Sequence, residues 1–177
     1  MKLALRILLG LAGLVLFVAV LGLSVPRDHL ATSRIRLRQS PDTVWAVIRD
    51  YEHAASWWPD VRSVKRLADL DGHERWEETM KMGPIAFVLT EERPPNFLRS
   101  AIDTTGGSPF GGDWLHEITA SPTGTTVTIS EQGWVSNPIF RSISAVIGYH
   151  GTLDSYLTAL ARHFGENVTP EHVTTGE

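Results

Sequence analysis

Two residues able to do acid–base chemistry stand where the pattern of the chain turns them inward. Residues 125–135 alternate, and with Val127 and Ile129 facing a core, Glu131 falls on the same side. His150 lies in an apolar row with Ile139, Ile143, Val146, Leu153, Leu157, Leu160 and Phe164, the three-and-four spacing of one helix face. A buried Glu131 beside an inward His150 would have shifted pKa values, the raw material of proton transfer. A structural use of the same residues competes with this: Glu131 at the rim on an arginine such as Arg99, and His150 paired with Asp154 one turn on. Alone, His150 is either a hydrogen-bonded core histidine or an anchor for a ligand's hydroxyl or carboxylate. Trp114 and His116 share a strand face with Ile118 and extend the candidate lining, together with Val146 from the helix, Trp57 as a gate and Phe110 from a glycine-rich loop.

Several chemistries are excluded or disfavoured. The chain has no cysteine, so disulfides, thiolate catalysis and Cys-ligated metals are absent. Seven histidines are present, but none are spaced as a helical or strand pair suited to zinc, and His29, His53, His73 and His172 fall in or near expected loops or termini, so no metal site is assigned. No Gly-x-Ser-x-Gly elbow is present, and the glycines at 106, 107, 111 and 112 do not follow dinucleotide or P-loop spacing, so no catalytic nucleophile and no cofactor is assigned. Net charge is −4, and without Lys2 and Arg6 there are 14 basic against 20 acidic residues. Such a surface has no basic excess for phosphates, which argues against a nucleic-acid partner.

Residues 7–26 carry no charge, and twenty helical residues span about 30 Å, the thickness of a bilayer's hydrocarbon core. Residues 1–26 are therefore expected to be a transmembrane anchor. A cleavable signal peptide is the rival, disfavoured by the length of the run and the lack of a small-x-small site before Pro26. Lys2 and Arg6 favour a cytoplasmic N-terminus and an extracytoplasmic domain, whereas Arg27, Arg34, Arg36 and Arg38 pull the other way.

Beyond the anchor, residues 32–39 alternate as a strand, with Ile35 and Leu37 on one face and arginines on the other. Ser40-Pro41 opens a short helix, and a second short helix is expected over 50–58, ending at Trp57-Trp58-Pro59. Six strands follow near 61–70, 74–82, 85–92, 97–104, 112–120 and 125–135, joined by turns such as Asp71-Gly72 and Gly83-Pro84. Short connections imply antiparallel neighbours. The loop 105–112 reads either as a lid or as a hairpin tip. Asn137 and Pro138 start one long helix that Gly165 stops, roughly 40 Å in length. Residues 166–177 form a polar tail.

Strand, two short helices, six strands and a long C-terminal helix is the order of the helix-grip fold. Ser40-Pro41-Asp42-Thr43-Val44-Trp45, Trp57-Trp58-Pro59-Asp60-Val61, Gly124-Thr125-Thr126-Val127-Thr128 and Glu131-Gln132-Gly133 resemble the SRPBCC superfamily, in particular its polyketide cyclase/dehydrase and lipid-transport members, over residues 31–165. The resemblance implies an α+β fold: a seven-stranded antiparallel sheet gripping the C-terminal helix, with an apolar cavity between them. Physics points the same way, since a curved sheet meets a helix along a line and leaves its flanks hollow unless large side chains fill them. The expected function is membrane-anchored binding of a hydrophobic small molecule or lipid, with the membrane as second partner. Alternatives are a cyclase or dehydratase using His150 and Glu131, or a protein-interaction module whose pocket is filled by its own tryptophans.

Overall fold

A computed structural model describes residues 2–174; Met1 of the expected anchor and residues 175–177 of the expected tail lie outside the described residues. Helix α1 (Lys2–Leu23) is followed by β1 (Asp28–Leu37), α2 (Pro41–Arg49) and a 3-10 helix, Tyr51–Ser56. Then come β2 (Val61–Arg66), β3 (Arg75–Met80), β4 (Gly83–Arg93), β5 (Phe97–Ile102), β6 (Phe110–Ser121) and β7 (Gly124–Val135), with α3 (Pro138–Ile147), α4 (Gly151–His163) and a two-residue β8 (Glu171–His172) at the end. The fold is α+β, with one antiparallel sheet in the order β2-β3-β4-β5-β6-β7-β1-β8. The seven long strands are those expected, and β8 adds an edge: the tail does not simply trail away, since Ser33 and Arg34 pair with His172 and Glu171.

Local chemistry sets the helix ends. Ser40 accepts from the Thr43 N–H at α2, with Pro41 behind it, and Val44 and Ile48 turn into the core. At α3 the Asn137 side-chain oxygen Oδ1 accepts from Ile139 N at 2.9 Å, as the Asn-Pro signal predicts. The single long helix, however, is two. Gly148 takes φ +88, its N–H donates to Ser144 O to close α3, and Tyr149 swings out to stack on His29 at 3.8 Å. That backbone region strains any residue with a Cβ, so a break here needs glycine.

The break separates two apolar faces that helical periodicity had merged into one. Leu153, Leu157 and Leu160 of α4 are fully buried against Ile35, Val127 and Ile129 of the sheet. By contrast α3 packs on α1, and Val146, expected in the cavity lining, is 88 % exposed.

Helix α1 is long and apolar enough to cross a membrane. Gly22 is its buried residue.

Candidate functional site

On the face toward α4, sheet register sets neighbouring strands side by side: Trp114 pairs with Glu131, which pairs with Ala31, and His116 pairs with Ile129, which pairs with Ser33. The alternation that placed Glu131, Trp114 and His116 on one face is thus realised. Phe110 lies on that face four residues from Trp114, paired to Val135 inside β6, so it belongs to the sheet and not to a loop.

Glu131 and His150 do not meet as an acid–base pair. The carboxylate accepts from His29 Nε2 at 3.0 Å and from Trp114 Nε1 at 3.2 Å. Arg99, the alternative partner, pairs with Asp113 at 2.6 Å. The His29 side chain is 8 % exposed and its Nδ1 has no hydrogen-bond partner among the described residues. Extending the alternation of Ile35 and Leu37 upstream through Ser33 and Ala31 reaches His29; its place before the expected strand start concealed it.

His150 sits at the start of α4 in a cluster with Ser33, Asp154 and His172. The Ser33 hydroxyl donates to Asp154 Oδ1 at 2.7 Å, which spends its one proton, so His150 Nδ1 donates to Ser33 at 3.1 Å. His172 Nε2 donates to Asp154 Oδ2 at 2.8 Å, and the two imidazoles stack at 3.8 Å. Burial and the adjacent His172 hold the His150 pKa below its ordinary value, against the pull of Asp154. His150, Asp154 and His172 each offer a ligand atom within 4.8 Å of the others. Stacked rings, however, keep their in-plane lone pairs in near-parallel planes, so an ion in the plane of one ring lies well out of the plane of the other.

Aromatic side chains pack between sheet and α4. Tyr156 meets Trp57, Trp58, Trp114 and His116 edge-on, with centroids 5.2, 4.9, 5.8 and 5.4 Å away. Trp58 Nε1 donates to Ser155 Oγ at 3.3 Å. A hollow of about 380 Å³ is lined by Pro59 and α4 residues alone, and one of about 350 Å³ by Arg49, residues 72–74 and 89–92. Neither lies between sheet and helix.

Polar groups nonetheless sit inside this aromatic nest. His116 is 5 % exposed and, among the described residues, neither ring nitrogen has a hydrogen-bond partner. Burial pushes its pKa down to about 4, with the Leu98 backbone pulling the other way. Glu78 is buried on Trp76 Nε1, and burial raises its pKa; burial likewise raises that of Tyr156, with Glu78 adding to it. Sequence patterns singled out neither Glu78 nor Tyr156.

Solved structures with the same fold include norcoclaurine synthase from Thalictrum flavum, at TM-score 0.62 and 11% identity over 84% of this chain and 92% of that one. The Zhui aromatase/cyclase from Streptomyces sp. R1128 has TM-score 0.58 and 12% identity over 77% and 93%. The di-domain ARO/CYC BexL from the BE-7585A biosynthetic pathway has TM-score 0.61 and 15% identity over 77% of this chain, which spans 50% of BexL. No curated protein matches the chain in sequence. The family described as polyketide cyclase / dehydrase and lipid transport matches residues 28–165. The chain therefore belongs to that family, within the SRPBCC superfamily.

Proposed function

We propose that this protein is a membrane-held binder of an apolar small molecule, a lipid being the leading class, that enters between the sheet and α4. The carrying observation is His116: a buried imidazole with neither nitrogen partnered among the described residues, set among aromatic rings on the concave face. Leaving a buried polar group unpaired costs about 1–3 kcal/mol, which a ligand's hydroxyl or carbonyl would recover. Trp57 and Trp114, both partly exposed, are the rings that would move aside. Apolar ligand surface is then stabilised at about 25 cal/mol per Å², while His116, Glu131 and His29 orient the polar end. Helix α1 holds the pocket beside a membrane source of ligand, with Lys2 and Arg6 favouring a cytoplasmic N-terminus and an extracytoplasmic domain.

The test is native mass spectrometry of the full chain released from detergent, beside Ser100→Trp. Ser100 is buried on the same face, paired with Trp114. A one-to-one apolar adduct, retained under activation that strips loosely held lipid and lost in the variant, is expected. No such adduct, and no thermal shift across lipids and aromatic polyketides, would remove the reading.

An enzyme of cyclase or dehydratase type is the second reading, and the His29–Glu131 pair favours it in place of His150 with Glu131. A carboxylate holding one imidazole nitrogen leaves the other free as a base. His29→Leu and Glu131→Gln that abolish turnover of a candidate substrate while keeping its binding would select this reading.

A further inference from the structure

We propose that α3 is a second membrane-embedded element, folded back against the end of α1, with its outer face in contact with lipid acyl chains. The inference rests on the reading of α1 as a membrane span. Pro138 lies against Gly22, where a Cβ would come within 1.7 Å of the Pro138 carbonyl oxygen, and the Ser142 hydroxyl donates to Val18 O at 2.8 Å. Contacts that advance along α3 while retreating along α1 make the two helices antiparallel. Small residues at the crossing and a hydroxyl on a backbone carbonyl are how helices pair in lipid.

Depth follows from this pairing. Val18 is five residues before the last residue of α1, about 7–8 Å along the axis, so Ser142 shares that depth and Val146, a turn further on, lies deeper. The remaining face of α3 fits that solvent: Phe140, Ile143, Val146 and Ile147 are 54, 43, 88 and 78 % exposed. Exposed apolar side chains continue across Leu14, Phe17 and Leu21 of α1. Arg141, the one charged residue of α3, reaches back toward the span's end, where Nη1 donates to Val25 O at 3.1 Å.

The chain contains no cysteine, so single probes can be placed in the full-length protein. Val146→Cys, Leu14→Cys in the span and Met82→Cys in the β3–β4 turn would each carry an NBD fluorophore in vesicles of three parts phosphatidylcholine to one part phosphatidylglycerol. Quenching by doxyl-labelled lipid is compared with quenching by iodide. The proposal expects the probes at 146 and 14 to be quenched several-fold more by lipid than by iodide, and the probe at 82 the reverse. Iodide quenching at 146 with lipid quenching at 14 overturns the embedding of α3 and leaves the span standing. Iodide quenching at both sites overturns the span and the embedding together. Protection at 146 from both quenchers overturns lipid contact in favour of a second copy covering α3.

Discussion

His29 and Glu131, 102 residues apart in the chain, meet at 3.0 Å because β1 and β7 run antiparallel in a fixed register, and the His29 ring is in turn stacked on Tyr149. His29→Leu removes a donor from a half-buried carboxylate and is expected to cost about 1–3 kcal/mol, while His29→Gln, which can still donate, recovers most of it. Thermal unfolding of the three proteins decides this. Equal losses for Leu and Gln would assign the effect to stacking alone.

His116 makes a prediction about pH. Its folded pKa of about 4 lies below the ordinary 6.5, so below pH 6.5 the unfolded chain takes up a proton that the fold refuses. Stability is thus lost as pH falls from 6.5 toward 4, by on the order of 3 kcal/mol from this group. Glu78 acts oppositely: its pKa is raised from 4.5, so protonation as pH falls through the raised value adds stability. His116→Leu isolates the first effect. Its melting temperature should gain on the parent as pH is lowered from neutrality through this window; an unchanging gap would show that His116 protonates within the fold.

Ser33 is fully buried and serves both His150 and Asp154. Ser33→Ala removes two bonds joining β1 to the start of α4, an expected loss of about 1–3 kcal/mol. Hydrogen exchange should rise in the first turn of α4 before it rises in the sheet; uniform exchange would mean that the cluster does not pin this turn.

Gly148 sits at φ +88 with open space around it, so the cost of Gly148→Ala is conformational, about 1–3 kcal/mol. A melting temperature unchanged by the substitution would mean that the turn between α3 and α4 relaxes freely.

Gly22 permits a close approach of α1 to α3 at Pro138. Cysteines at positions 18 and 142 should be joined by a short bis-maleimide, and adding Gly22→Leu should suppress the link. Unaltered cross-linking would show that the helices do not pair at this point.

What the sequence determined by itself was local or periodic. The uncharged run of α1, the alternation of β1, β6 and β7, the caps at Ser40 and Asn137, and the hairpin turns are each set within a few residues, and the order of elements was enough to reach the helix-grip fold. The apolar row through α3 and α4 was legible too, but periodicity cannot say that two halves of one row bury against different partners. Tertiary structure decided that: Tyr149 leaves the helix for His29, α3 turns to α1, and Val146 ends exposed. It also decided that Glu131 takes His29 and Trp114 rather than His150 or Arg99, and that tryptophans and Tyr156 occupy the grip. Strand register and helix docking bring together residues a hundred positions apart, and neither spacing nor composition carries that information.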